Sequence, residues 1–271
     1  MREGGERREL SEARLADALE RADRGEVVSL GFLTPGERMH AVRILRAWGR
    51  DRAHFWGGYP GAERTVLLLP PPYMEELFPS LLSDTAKGEE ELLSSLRAES
   101  VSAVRVCGSG YRTLTHRDHL GALLGLGIER DVLGDVALQD AYQAVVFCLP
   151  HMQRFLIEEL THVASDTVRC VPYEPDATFW DGRTYASQHV TVASARLDCI
   201  VAALTGQSRE SAQRSIRAGL VEVNYEACER VDCAMEAPAT LSVRGVGRFE
   251  LRAFEGETRK GRLRLLADRL V

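Results

Sequence analysis

The sequence has no long apolar run. None of its hydrophobic stretches approaches the roughly 20 residues that a helix needs to cross a bilayer. The longest, 66–69 and 144–149, have the length of strands. The polar N-terminus is not followed by the apolar core of a secretory signal. We therefore expect a cytoplasmic protein that does not bind membranes.

Cysteine is present but never in a Cys-x-x-Cys pair. The six cysteines stand at 107, 148, 170, 199, 228 and 233. Most of them lie among apolar or alternating residues, where a buried reduced thiol is the usual state. A disulfide framework is not expected in a chain of this length without an export signal. Cys228 and Cys233 lack a second ligand pair at zinc-site spacing, so no metal site is predicted.

Lysine is almost absent, because Lys87 and Lys260 are the only two in the chain. His116-Arg117-Asp118 resembles the kinase catalytic loop, but Leu123 stands where that loop needs asparagine, and no lysine is placed to hold phosphate. Neither a Gly-Lys-Ser/Thr phosphate loop nor a Gly-x-Ser-x-Gly nucleophile elbow occurs. The sequence therefore predicts no catalytic residues, no cofactor and no enzymatic activity.

Charge is divided unevenly along the chain. The net charge is −6, but residues 194–271 carry 13 basic and 11 acidic side chains, against 21 and 29 in the rest. From residue 239 onward there are 8 basic and 4 acidic side chains. An acidic body with a basic end favours an anionic partner at that end, nucleic acid first of all. A surface of mixed charge is the alternative.

Apolar periodicity and capping residues predict an α+β protein in three parts. These are an N-terminal α/β region over 1–80, a middle domain over 81–180 and a C-terminal domain over 181–271. The first part has helix patterns over 11–23 and 35–48 and strand patterns over 53–56 and 65–69. The second has, in chain order, strand 101–107, helix 116–126, a hairpin of 131–137 with 142–149, helix 152–163 and strand 167–171.

The middle domain therefore has the order β-α-β-β-α-β, the ferredoxin-like arrangement that RNA-recognition plaits share. The aromatic stacking signature of those RNA-binding plaits is missing, since the strands offer little beyond Tyr142 and Phe147. Analogy of fold alone assigns no function to this domain.

The C-terminal domain has the clearest pattern. One helix carries a single apolar stripe and ends near Gly206; the stripe consists of Leu197, Ile200, Val201 and Leu204. Ser208 is placed to cap a second helix, and Gly219 to end it. A short strand over 220–224 and a strand pair of 240–243 with 248–251 follow.

Within these elements the chain reads Arg196-Leu197-Asp198, Ser208-Arg209-x-x-Ala212 and Ile216-x-x-Gly219-x-Val221-x-Val223-Asn224. This pattern resembles the RNA-binding domain named after ribosomal protein S-four, also called the alpha-L motif. Guanidinium groups on one helix face and backbone donors at a helix N-terminus both suit RNA phosphates. The predicted RNA-binding residues are Arg196, Ser208, Arg209, Gln213, Arg214, Arg217 and Asn224, with Arg244, Arg248, Lys260 and Arg262 widening the basic face.

Further stretches extend the resemblance to nearly the whole chain. They are 55–64 (FWGGYPGAER), 114–128 (LTHRDHLGALLGLGI), and 245–249 with 260–262 in the tail. Together with the domain order, they resemble the YlmH family of bacterial S-four-domain proteins. The resemblance implies binding to the large ribosomal subunit and to peptidyl-tRNA on stalled complexes, in ribosome-associated quality control. It implies ribosomal RNA and tRNA as partners, and we expect a monomer.

Two alternatives stay open. Arg196-Leu197-Asp198 also resembles a stretch of pseudouridine synthases, although the residues after Asp198 lack the loop that shapes their catalytic aspartate. An RNA-modifying enzyme with its active site in the middle domain is therefore the first alternative. An adaptor whose main partner is a protein is the second, because the N-terminal two-thirds of the chain are acidic.

The start of helix 116–126 has two interpretations. Thr115 and Asp118 predict a capping box, and His116 and His119 lack a third metal ligand. The family resemblance gives His116 and Arg117 a secondary contact with RNA or protein. In the C-terminal domain, reversal of Arg209 and Arg217 to Glu is predicted to abolish RNA binding and leave the fold intact.

Overall fold

The computed structural model describes residues 10–81, 90–176 and 178–271. The chain forms two compact units, Met1–Gly182 and Arg183–Val271. Both contain helices and sheets, so the predicted α+β class is confirmed. The boundary at residue 80 stays a prediction. In the part of the chain that is described, no helix is both long and apolar enough to cross a membrane.

The elements of the first unit alternate between helices and strands. Its helices are α1 (Glu12–Asp23), α2 (Pro35–Ala47), α3 (Glu90–Ser100), α4 (His116–Gly125) and α5 (Pro150–Glu159), with 3-10 turns at Pro72–Leu77 and Arg130–Val132. Its strands are β1 (Val28–Leu33), β2 (His54–Trp56), β3 (Thr65–Leu69), β4 (Ser102–Cys107), β5 (Leu133–Leu138), β6 (Gln143–Cys148), β7 (His162–Val163), β8 (Asp166–Thr167) and β9 (Arg169–Tyr173).

Helices α2 and α4 begin where their capping residues predict. Thr34 caps α2 and receives the Glu37 amide at 3.3 Å, while the Glu37 carboxylate accepts the Thr34 amide at 2.7 Å. Thr115 and Asp118 form the same reciprocal pair at α4. Each pair satisfies two amides that the first helical turn leaves without partners.

Two antiparallel sheets form the middle layers of the first unit. Helices α1 and α2 pack on one face of a sheet with the order β1-β3-β2, and α4 and α5 pack on one face of a sheet with the order β5-β6-β4-β9. The other faces of the two sheets share a core that includes Leu68, Val145 and Phe147. Strands β3 and β6 are therefore covered on both sides, which explains their continuous apolar runs.

The segment 55–64 connects these two sheets through hydrogen bonds and packing contacts. Asp135 on β5 accepts hydrogen bonds from the Tyr59 hydroxyl at 2.6 Å and from the amides of Glu63 and Arg64 at 2.8 and 3.0 Å. Gly58 has φ +99°, and a Cβ there would lie 2.2 Å from the ring of Phe147. The local sequence of this segment is thus explained by packing.

Helix α5, which packs on the sheet β5-β6-β4-β9, differs from its sequence prediction. The helix was predicted over 152–163, but it begins at Pro150, whose ring suits the first helical position, and ends at Glu159. Residues 162–167 form the small β7–β8 hairpin instead, which turns through Ala164 at φ 52°. Strand β1 and helix α3 were not predicted.

The second unit is a helical hairpin on an antiparallel sheet. Its helices are α6 (Leu197–Thr205) and α7 (Arg209–Arg217). Its strands are β10 (Tyr185–Val192), β11 (Val221–Val223), β12 (Glu226–Ala227), β13 (Ala239–Val243), β14 (Gly247–Glu257) and β15 (Leu263–Leu270), in the order β10-β15-β14-β13-β11-β12. The apolar sides of α6 and α7 share one core with the sheet, including Ile200, Ile216 and Phe249.

Candidate nucleic-acid interface

The turn between α6 and α7 fixes the start of the helix that carries the predicted polar residues. Gly206 ends α6 in the left-handed conformation at φ 68°, where glycine has no Cβ to clash. Ser208 caps α7 and accepts the Ser211 amide at 3.1 Å. Gly219 follows the helix at φ 66°. The predicted start and end of α7 are confirmed. The Ser208 hydroxyl oxygen accepts a hydrogen bond within α7 itself, as a helix cap.

The centre of the interface is a buried carboxylate. Asp198, in the first turn of α6, has 0% of its surface exposed. Its Oδ2 accepts hydrogen bonds from Arg209 Nε at 2.9 Å and from Gln213 Nε2 at 2.8 Å. Arg196 donates from Nε to Oδ1 at 3.2 Å and from its terminal nitrogen to Oδ2 at 3.3 Å. Three of the predicted RNA-binding residues therefore converge on one carboxylate, and we name these four residues the Asp198 cluster.

The cluster keeps Asp198 ionised. Burial by itself raises the pKa of a carboxyl group, but the hydrogen bonds from Gln213, Arg196 and Arg209 outweigh it and hold the pKa of Asp198 well below its ordinary value. The same pairing raises the pKa of Arg209. The result is a fixed arrangement of opposite charges between α6 and α7.

Asp198 holds Arg196, Arg209 and Gln213 in place, and the sequence prediction did not include it among the site residues. The side chains of Arg196 and Arg209 remain 41% and 54% exposed while each contacts Asp198. Part of each guanidinium is thus held by protein and part faces solvent. Arginine suits this double use, because its planar group carries five N–H donors. The sequence signal was an acidic residue inside an apolar helix pattern.

The start of α6 is fixed by a neighbouring loop. The amides of Leu197 and Asp198 donate to the carbonyls of Cys233 and Val231 at 2.9 and 3.1 Å. These bonds satisfy backbone donors that the first helical turn leaves unpaired. They also fix the backbone position of Asp198, whose side chain contacts α7.

The remaining arginines of α7 are more exposed. Arg214 pairs with Glu210 on the helix surface at 3.2 Å. Arg217 is exposed at the last position of α7. The Arg244 amide donates to the carbonyl of Leu220, just beyond the helix, at 2.9 Å. The structure therefore brings the backbone of the turn that carries Arg244 to the C-terminal end of α7.

Asn224 has a structural role in the described unit. Asn224 and Tyr225 form the two-residue turn between β11 and β12 with φ 48° and 67°. Positive φ at both central positions is the hairpin conformation that favours asparagine. The Asn224 side-chain oxygen also accepts the Thr240 amide at 2.9 Å. Arg248 lies 5.5 Å from the centre of the Tyr225 ring.

The last two predicted contacts lie elsewhere on the unit. Lys260 and Arg262 are in the turn after β14, and Arg244 is in the turn before it. The 11 residues of β14 separate these turns by roughly 30 Å at the usual rise of a strand. Arg262 donates to the Thr191 carbonyl at 3.0 Å. The structure therefore distributes the predicted basic residues over two ends of the sheet.

In the first unit, His116 and Arg117 are both exposed at the start of α4. His119 is fully buried, and its Nδ1 lies 3.0 Å from the Thr115 carbonyl oxygen. Burial lowers the pKa of His119. Because His119 points into its own helix turn, the two histidines do not form a metal pair. Over residues 10–81, 90–176 and 178–271, no three His, Cys, Asp or Glu side chains form a group that could hold a metal ion.

The chain is similar to one family model and to two named proteins. The family model described as "Putative RNA-binding domain in YlmH" matches residues 106–175, from the end of β4 to just past β9. The "Ribosome-associated protein quality control protein P2" of Bacillus subtilis is 29% identical over 216 residues, which cover 79% of this chain and 77% of that protein. The solved structure "Cell division protein ylmH from Streptococcus pneumoniae" is similar with a TM-score of 0.45 and 15% identity, over 62% of this chain and 96% of that chain.

The family model matches only the first unit. Its residues 106–175 contain α4 with His116 and Arg117, and they end before the Asp198 cluster. The sequence pattern predicts RNA binding mainly in the C-terminal domain, where the arginines of the alpha-L motif lie. The middle domain lacks an aromatic stacking signature on its strands.

Proposed function

We propose that the chain is a member of the YlmH family and a non-catalytic cytoplasmic protein that binds structured RNA in ribosome-associated quality control. The proposed partners are ribosomal RNA of the large subunit and the tRNA of stalled peptidyl-tRNA complexes. The middle domain is proposed to be a ferredoxin-like plait, and the second unit an S-four-type RNA-binding domain. The name of the Bacillus subtilis relative supports the quality-control role.

The observation that carries the proposal is the Asp198 cluster. A surface arginine loses side-chain entropy when it is fixed on a phosphate. In this unit Arg196 and Arg209 are already fixed by a carboxylate with no exposed surface. Prior fixing reduces the entropic cost of binding, and guanidinium groups bind phosphate oxygens in pairs of parallel hydrogen bonds. The cluster is therefore suited to contact the phosphates of a folded RNA.

Arg217 supplies the cleanest test of this interface. It is exposed and lies on the same polar side of α7 as Arg209 and Gln213, which are eight and four positions earlier in the chain. Arg264 is the matched control, because it is exposed in the same unit. Its neighbours on β15, Leu265 and Ala267, face the helices, so Arg264 lies on the opposite face of the sheet.

The experiment measures the affinity of the full chain for purified large ribosomal subunits across a series of salt concentrations. For Arg217→Glu we expect about tenfold weaker binding at low salt and a salt slope smaller by about one. For Arg264→Glu we expect affinity within about twofold of the unaltered chain, as for a position outside the contact surface. Equal affinity of the Arg217→Glu chain and the unaltered chain would contradict the proposed interface.

A further inference from the structure

One tyrosine in the first unit is almost completely exposed. Tyr111 lies in the loop 108–115 that joins β4 to α4, and 97% of its surface is accessible. A tyrosine ring contributes most to stability when it is buried, so full exposure gives the fold little. The loop therefore presents an aromatic face that the packing of this unit does not use.

The loop that carries Tyr111 is fastened at several points. The Gly108 amide donates to the Tyr142 carbonyl at 2.8 Å, and the Leu114 amide to the Ala141 carbonyl at 2.9 Å. The amide of Ser109 donates to Asp166 Oδ2 at 3.0 Å, and its hydroxyl donates to Oδ1 of the same side chain. Leu114 itself is buried in the core beneath α4. Tyr111 is thus exposed on a loop whose ends are held.

A groove of about 430 Å³ lies on the surface next to this loop. It is lined by Arg117, Asp118, Gly121, Ala122, His162 and Ala164. Arg112 connects the groove to the loop, because it donates to Ser165 Oγ at 2.7 Å and lies 3.8 Å from Asp118 Oδ1. Gly121 has no side chain to fill the groove, and nothing lies within 4 Å of where its Cβ would be.

The carboxylates at this surface are already engaged by the protein. Asp118 accepts from the amide and the hydroxyl of Thr115, and Asp166 is held by Ser109. Arg112 follows Tyr111 directly in the chain and Arg117 lines the groove, so both add positive charge to this surface. An aromatic ring with neighbouring cations is the combination that holds unpaired nucleotides, with the base stacked on the ring and the phosphates near the cations.

We propose that the loop 108–115 and this groove bind unpaired nucleotides of RNA, with one base stacked on Tyr111 and the adjoining phosphates contacted by Arg112 and Arg117. The inference rests on the proposed RNA-binding function and adds a second site to it. The site lies within residues 106–175, where the family model matches. A single aromatic ring stacks on a base only when that base is unstacked from its own helix, so the ligand is single-stranded RNA or a loop.

The test compares two RNAs on the full chain by fluorescence anisotropy. The first is an unstructured RNA of about 12 nucleotides, within the range that one binding domain covers. The second is a hairpin with a fully paired stem and a minimal loop. The variants are Tyr111→Ala, Tyr111→Phe, Arg217→Glu and the control Tyr73→Ala, which removes another highly exposed tyrosine.

We expect Tyr111→Ala to weaken binding of the unstructured RNA by roughly 5- to 100-fold and to leave hairpin binding unchanged. Tyr111→Phe should restore binding, because the ring is retained, and Tyr73→Ala should have no effect. Arg217→Glu should weaken hairpin binding more than binding of the unstructured RNA.

The outcomes separate the two proposals. Unstructured RNA bound equally by the Tyr111→Ala chain and the unaltered chain would overturn the second site. Hairpin binding that still depends on Arg217 would then leave the first proposal standing. Failure of the unaltered chain to bind either RNA or the large subunit would overturn both proposals.

Discussion

Arg209 and Asp198 form an ion pair between an exposed helix and a buried one, with Nε 2.9 Å from Oδ2. The arginine side chain is 54% exposed and the aspartate 0%. The pair therefore joins the outer surface of the second unit to its interior. A change at either residue should alter both the stability of α7 and the arrangement of its polar side chains.

Asp198→Asn removes the charge but keeps the shape of the side chain. The guanidinium groups of Arg196 and Arg209 then lose their charged acceptor, and a hydrogen bond to a charged group contributes about 1.5–3 kcal/mol net to stability. We expect the free energy of unfolding of the C-terminal unit to fall by about 2 kcal/mol. Differential scanning calorimetry of the full chain measures it, and an unchanged thermogram would contradict a stabilising role of the charge.

The pH dependence of this effect follows from the lowered pKa of Asp198. An unfolded aspartate titrates at about pH 4, and the folded Asp198 titrates at lower pH. The folded state is therefore stabilised wherever the unfolded side chain is ionised. This contribution is complete above about pH 5 and is lost as the pH falls from about 4 toward the folded pKa. The stability difference between the unaltered chain and Asp198→Asn should therefore be constant near neutrality and shrink in acid. A difference that grew in acid would have the wrong sign.

Arg209→Glu and Arg217→Glu should behave differently. Arg209→Glu places a second carboxylate beside Asp198 and removes its shortest charged partner, so the C-terminal unit should unfold at lower temperature. Arg217→Glu should leave the melting temperature unchanged and weaken RNA binding. For Arg209 this prediction differs from the expectation from sequence that both reversals leave the fold intact. Equal melting temperatures for the two variants would show that the Arg209 pair does not stabilise the unit.

Gly58→Ala should destabilise the first unit. Its φ of +99° is one that other residues rarely adopt, and an added Cβ would lie 2.2 Å from Phe147 Cδ1. We expect a loss of about 3 kcal/mol from overpacking and backbone strain together. Gly125→Ala is the control, because nothing lies within 4 Å of its added Cβ at the end of α4. Similar unfolding midpoints in urea for the two variants would contradict the close packing at Gly58.

Two thiols should be unreactive in the folded protein. Burial raises the pKa of Cys148 to about 12, and burial, followed by the charge of Cys107, raises the pKa of Cys170 to about 11. Since the thiolate is the reactive form, both should resist alkylation at mildly alkaline pH until the unit unfolds. Mass spectrometry after brief iodoacetamide treatment locates the modified residues. Rapid modification of Cys148 under native conditions would contradict its burial.

Local sequence signals were sufficient for much of the fold. The capping pairs at Thr34 and Thr115 and the turn glycines around α7 specify helix ends through bonds within a few residues. Such bonds do not depend on the rest of the chain, so the sequence predicts them directly. The runs in β3 and β6 were likewise recognisable as strands because they are apolar throughout.

Long-range pairing accounts for what the sequence did not reveal. Strands β10 and β15 mix polar and apolar residues, so neither has a clear strand pattern of its own. They form by pairing with each other over eight residues. Asp198 acquires its role from Arg209, 11 positions away, and from the loop that fixes the start of α6. Lys260 was predicted to widen the same basic face as Arg244. The strand expected over 248–251 continues to Glu257 and separates the two residues.

The most direct measurement is sedimentation of the full chain with purified large ribosomal subunits through sucrose gradients at increasing salt. About six phosphate contacts should give a log–log salt slope of roughly −4 to −5. We expect the chain to co-migrate with the large subunit at low salt and to be released at high salt. Arg217→Glu should reduce the co-migration. Migration of the unaltered chain at the top of the gradient at every salt concentration would contradict it.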